Sequence, residues 1–390
     1  MLRMHRITHA FASIMIKTTL VLSVLLAIAS AAYLLIVGSW IVGGIYLFFA
    51  LFYAFAAWTW RSRIPFATIM LETVTSVSRR YWGIYVAAII TLIFQTALNI
   101  AFALTALGII YLFNPNGTST CTVNSAGQEV CSTSMAASSY GVYVAVLFAY
   151  YWISEVFQNV LHCTVCGVFG VYYYLFNTPQ YPRTFITGAS AKRALTTSFG
   201  SVCFGSLLIA IIRTMRAISN MAADNGNDVL AFIACCVTCI LGCIEGLVEW
   251  FNQYAFARVA VYGEDYVAAA KRTWTLVKDR GIEAMINDLL IGNVLAIGSL
   301  LVGLLAMVCG VVYVNAVNPL IINNSATFAV LMVTAFLVGL TMMNVIGSVV
   351  DSGVVATFVC LAEDPMALAQ RQPQLFEAIR RTYPEVVQSI

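Results

Sequence analysis

Eight long apolar stretches run through this chain of 390 residues, and the charges that interrupt them sort into alternate loops. The stretches cover roughly residues 18–37, 41–60, 84–113, 140–176, 199–219, 229–254, 289–314 and 327–350. A bilayer-crossing helix needs about 20 mostly apolar residues, a length each of them reaches. The runs do not alternate apolar and polar as barrel strands do, so helix is the element that satisfies the backbone in lipid. With 61% hydrophobic and 9% charged residues, a soluble fold could not cover its own surface. The expected class is an all-α polytopic transmembrane helical bundle of about eight spans. It forms one unit over residues 1–390, with the lipid bilayer as solvent. No Pro or polar turn interrupts 140–176, so one long helix, tilted or protruding, is expected there.

Lys and Arg set the orientation. Arg3, Arg6 and Lys17 precede or open the first span, and Arg61, Arg63, Arg79 and Arg80 separate the second from the third. Arg183, Lys192 and Arg193 follow the fourth, and Arg258, Lys271, Arg272, Lys278 and Arg280 follow the sixth. Arg371, Arg380 and Arg381 close the chain. Eight spans and a cytosolic start put all of these on the cytosolic side, as the positive-inside rule requires. Both termini and segments 177–198, 255–286 and 363–390 are then cytosolic, and 114–139 is extracellular in a plasma-membrane protein. Arg213 and Arg216, near the outer end of the fifth span, are exceptions that either snorkel to headgroups or face a polar cavity. The first apolar run outlasts a usual signal core, and cleavage after Ala29-Ser30-Ala31 would invert the charge pattern, so an uncleaved span is expected.

The one clearly polar stretch, 114–139, carries the glycosylation acceptor Asn116-Gly117-Thr118 and two cysteines, Cys121 and Cys131. Their spacing is easily closed by a disulfide in an oxidising compartment. A second sequon, Asn323-Asn324-Ser325, sits too close to the membrane for use. The other cysteines lie in or beside apolar runs. Cys163-x-x-Cys166 and the 235–243 cluster lack a second ligand set, so packing is the expected role and no metal is assigned.

Polar residues inside the spans fall on helical faces. Trp152, Glu155, Asn159 and His162 share one face of span four, and Glu245, Glu249 and Asn252 share one face of span six beside Trp250 and Tyr254. Asn344, Ser348 and Asp351 line a face of span eight. The bland reading makes these interhelical hydrogen bonds. The functional one makes them walls of a pathway, with Glu155 and Glu245, mid-span carboxylates costly to expose to lipid, as counter-charges for a cation held by Trp and Tyr rings. Ser201 with Gly205, and Ser299 with Gly303, have the spacing that lets helices approach closely. His-Glu-x-x-His, Gly-x-Ser-x-Gly and Walker loops are all missing from the sequence. Neither catalysis nor ATP coupling is expected, and no cofactor or nucleic-acid partner is assigned.

Several segments resemble the choline transporter-like family, especially its fungal and protist branch. They are Arg193-Ala194-Leu195, Ser198-Phe199-Gly200-Ser201 with Gly205-Ser206-Leu207, and Glu249-Trp250-Phe251-Asn252-Gln253-Tyr254-Ala255 leading to Val261-Tyr262-Gly263. Further ones are Arg280-Gly281-Ile282 with Ile286-Asn287-Asp288, Val349-Val350-Asp351, Cys360-Leu361-Ala362-Glu363-Asp364, and Arg61-Ser62-Arg63-Ile64-Pro65-Phe66. The resemblance implies a transporter fold with two more spans ahead of the first one here, a glycosylated outer loop, and facilitated or gradient-coupled transport of choline or a related amine. Asn287-Asp288 reads as a helix cap. The rival readings are transport of another solute and a non-transporting scaffold or sensor.

Overall fold

The computed structural model describes residues 2–38, 40–113, 119–123, 129–133, 137–181, 185–223, 228–317 and 325–382. Among the described residues, eight helices are long and apolar enough to cross a membrane. They are α1 (Leu2–Ile36), α2 (Trp40–Trp60), α4 (Gly83–Phe113), α5 (Ala137–Leu175), α7 (Phe199–Ala223), α8 (Asp228–Tyr262), α9 (Tyr266–Val317) and α10 (Ser325–Glu363). The stretch expected as one long helix is indeed the single helix α5. Four shorter helices complete the set: α3 (Ile64–Arg80), α6 (Ile186–Leu195), α11 (Pro365–Arg371) and α12 (Pro373–Thr382). A small antiparallel hairpin, β1 (Ser119–Val123) with β2 (Glu129–Thr133), lies between α4 and α5.

The hairpin marks one end of the bundle, and the basic loops with α3, α6, α11 and α12 mark the other. Local chemistry sets the boundaries at this basic end. Gly263 (φ +72°) ends α8 in the left-handed conformation, its N–H returning to the Val259 carbonyl at 3.1 Å. Asp364 caps α11 through the Ala367 N–H at 3.0 Å, with Pro365 in the first turn.

The segment between spans two and three is more than the basic loop read from sequence. After a turn of 3-10 helix at Arg61–Arg63 it forms α3, which buries Ile64, Phe66, Ala67, Thr68, Ile69, Met70, Leu71, Val74, Val77 and Ser78. Thr68, Thr73 and Thr75 return their hydroxyls to carbonyls four residues back, within 2.8 Å, which satisfies them inside an apolar setting. The helix packs against α1, α9, α10 and α12, and Val74 and Phe169 close over Gly353 of α10.

Burial is uneven along the bundle. In α10 nearly every residue from Val349 to Leu361 is enclosed, and α5 is enclosed from Leu161 to Phe169. The hairpin-side half of α10 encloses few residues, among them Met332 and Gly339. The core therefore sits at the basic end, and the helices present mostly apolar, outward-facing surface toward the hairpin end.

The α9–α10 contact depends on small residues. A Cβ on Gly339 would lie 2.6 Å from Ala306 Cβ and 2.9 Å from the Val302 carbonyl oxygen, whereas Gly292 has open space. Gly339→Ala is expected to cost about 1–3 kcal/mol through overpacking, while Gly292→Ala is neutral or better. Thermal melting of the detergent-purified variants checks this, and equal melting temperatures would remove the close approach as the cause.

Candidate functional site in the bundle interior

The residues singled out from sequence separate into three groups. Nearest the hairpin end, Arg213 of α7 is surrounded by carboxylates from two neighbouring helices. Its Nη1 donates to Glu155 Oε1 of α5, its Nε to Glu245 Oε1 at 2.9 Å, and its Nη2 to Glu249 Oε1 at 2.5 Å, both on α8. Arg216, one turn on, donates to Glu245 Oε2 at 2.8 Å. The sequence reading gave Glu155 and Glu245 to a ligand as counter-charges. In the structure they already have an internal cation, and the two exceptional arginines face this polar cluster. Trp152 lies beside it, its indole N–H donating to the Cys203 carbonyl at 3.0 Å.

The second group ties helices together. Asn159 donates to Ser206 Oγ at 3.0 Å, and Asn252 to the Gly205 carbonyl at 3.1 Å while accepting from the Tyr266 hydroxyl. His162 is buried, with Nδ1 2.8 Å from Ser352 Oγ and Nε2 2.9 Å from the Gln253 carbonyl, which joins α5, α8 and α10. These groups are fully engaged with protein, the geometry of interhelical glue.

The third group holds Trp250, Tyr254 and Asp351, together with Asp288. The helix-cap reading of Asp288 is incorrect: the residue lies inside α9, and its Oδ2 accepts from the Tyr254 hydroxyl at 2.6 Å and the Trp250 indole at 2.9 Å. Its Oδ1 is buried and has no hydrogen-bond partner among the described residues. Both amide atoms of neighbouring Asn287, which is 2% exposed, are likewise unpartnered. Asp351 lies on α10, which packs against both α8 and α9. Among the described residues no Lys or Arg pairs with either aspartate. Tyr254 is wholly enclosed, so its part is to hold Asp288, while Trp250 is half-buried and offers the more accessible ring. Two uncompensated carboxylates next to an aromatic face in a low-dielectric interior favour an organic cation.

No group of three or more His, Cys, Asp or Glu residues with metal-holding geometry occurs among the described residues. Cys163 and Cys166 are buried, and Cys235, Cys236, Cys239 and Cys243 face outward. The second sequon and Asn116 lie outside the described residues.

The fold is that of a polytopic membrane helical bundle, and comparison with known proteins supplies its class, a membrane transporter. A family profile described as "Plasma-membrane choline transporter" matches residues 44–366. The protein called PNS1 of Gibberella zeae is 39% identical over 380 residues, which spans 96% of this chain and 69% of that protein. PNS1 of Mycosarcoma maydis is 37% identical, spanning 98% of this chain and 71% of its own, and PNS1 of Cryptococcus neoformans is 38% identical over 98% and 69%. The chain belongs to the choline transporter-like family.

Proposed function

We propose that this protein moves choline or a related small organic cation across the plasma membrane, by facilitated diffusion or by coupling to an existing gradient. The observation that carries this reading is Asp288, held by Trp250 and Tyr254 with its second carboxylate oxygen unpartnered among the described residues. A quaternary ammonium offers no N–H, so it is held by charge and by ring faces rather than by hydrogen bonds. Asp288 and Asp351, which pair with no Lys or Arg among the described residues, supply the charge, and Trp250 supplies a face. The description of the matched family points the same way. Saturable uptake of labelled choline, ethanolamine or another small amine into proteoliposomes containing the chain tests it. Correctly inserted protein that moves none of them saturably would overturn it.

The same reading places both termini and the basic end in the cytosol and the hairpin outside. The backbone register sets Cys121 directly opposite Cys131. Paired antiparallel residues stand about 4.5–5.5 Å apart between Cα atoms, within disulfide range. A Cys121–Cys131 disulfide and a glycan on Asn116 are therefore expected in a glycosylating host. An impermeant maleimide should label the two cysteines on intact cells only after reduction, and Asn116→Gln should run faster on a gel. Labelling that requires permeabilised cells would reverse the orientation.

A further inference from the structure

Arg258 is the most deeply enclosed charged side chain among the described residues, at 1% exposure. It projects from the last turns of α8 at the basic end. Its Nη1 and Nη2 donate to the two carboxylate oxygens of Glu363, the last residue of α10, at 2.7 and 3.3 Å. Its Nε faces Glu264 Oε2 at 3.7 Å, in the turn between α8 and α9, and Glu264 Oε1 pairs with Arg272 of α9 at 2.8 Å. The guanidinium also lies 5.2 Å over the Tyr262 ring, whose hydroxyl meets that of Tyr174 on α5 at 2.7 Å. One arginine thus draws four spans together where the pathway would meet the cytosol.

Its surroundings suit a closure that can open. A cavity of about 310 Å³ adjoins it, lined by Arg258, Arg272, Thr275, Asp279 and Glu363. Glu363 and Arg272 reach solvent, so water can take over their bonds when the cluster parts. Exchanging a buried ion pair for solvated partners is close to break-even, unlike opening a packed apolar seam. Behind the cluster, toward Asp351 on α10, the buried thiols Cys166 and Cys360 are sealed in, with Cys166 Sγ 3.4 Å from the Ser352 carbonyl. The hairpin-side halves of the helices enclose far less.

We propose that Arg258 and Glu363, supported by Glu264 and Arg272, form a latch that closes the cytosolic mouth of the pathway and must part before cargo leaves. The structure holds it shut. This rests on the transport reading, and the test needs no substrate, so either can fail alone. The full chain is reconstituted with its basic end facing the bath and treated with an impermeant maleimide, and labelling of Cys166 and Cys360 is followed by mass spectrometry. Wild-type protein should label slowly. Arg258→Gln and, separately, Glu363→Gln should each label roughly ten-fold faster, as expected for a shift of a two-state closure by one broken tie. The double variant should label no faster than the quicker single, because both changes break one contact. If Arg258→Gln does not assemble, Glu363→Gln carries the test, since its side chain is already 39% exposed. Wild-type rates in the variants that assemble, or multiplying effects in the double, would overturn the latch. So would labelling that rises only as far as it does in an equally destabilised Gly339→Ala protein.

Discussion

Asp288→Asn and Asp351→Asn are each expected to lower initial uptake by roughly 100-fold, the equivalent of about 2.8 kcal/mol in cation binding. Both changes keep the side chain's shape and remove one negative charge. The two carboxylates pair with no Lys or Arg among the described residues, so the neutral amides should leave the bundle as stable as before or more so. That separates this outcome from simple misfolding, because melting temperature and uptake should move independently. Measuring uptake against concentration for both variants, with a melt on the same preparation, decides the matter. Two variants that transport like wild type would end the assignment of the site.

Arg213→Gln should do the reverse, with its main effect on stability. Removing the guanidinium leaves Glu155, Glu245 and Glu249 facing one another with only Arg216 for balance. Breaking a buried ion pair by deleting one partner costs 3–5 kcal/mol, and because the Arg213 side chain is 26% exposed the expected loss is about 3 kcal/mol. Adding Glu155→Gln to the Arg213→Gln protein should recover part of it, since the second change removes the stranded charge. Unfolding of purified protein in a denaturing detergent series reads both effects. An Arg213→Gln protein as stable as wild type would show that the cluster contributes nothing to holding α5, α7 and α8 together. The structure also moves the expected consequence of Glu155→Gln and Glu245→Gln from uptake toward stability, because each already has a partner.

The spans were legible because apolar run length is a one-dimensional signal, and all eight correspond to helices in the structure. The face shared by Trp152, Glu155, Asn159 and His162 was legible from spacing, but spacing names a face and not the group opposite. Hence Arg213 registered only as an exception to a charge rule, although it is the partner of three predicted site residues. Asp288 was missed for a related reason. Its charge served to mark the start of a span at residue 289, which hid that α9 continues through it. Only the fold shows Tyr254 and Trp250 waiting on α8. The helix α3 was hidden by its own composition: Thr and Ser broke the apolar run, and their bonds to the preceding turn are invisible without coordinates.

That helix also constrains how the protein is made. Arginines bracket it at Arg61, Arg63, Arg79 and Arg80, so the insertion machinery has no reason to treat it as a span of its own. Part of its apolar face meets α1, made before it, but the rest finds its cover on α9, α10 and α12, all translated long after it. During synthesis α3 is a half-covered apolar segment, and its packing is completed only when the end of the chain emerges. A nascent chain that stops before α10 leaves part of that face bare, the kind of exposed surface by which quality control recognises an unfinished membrane protein.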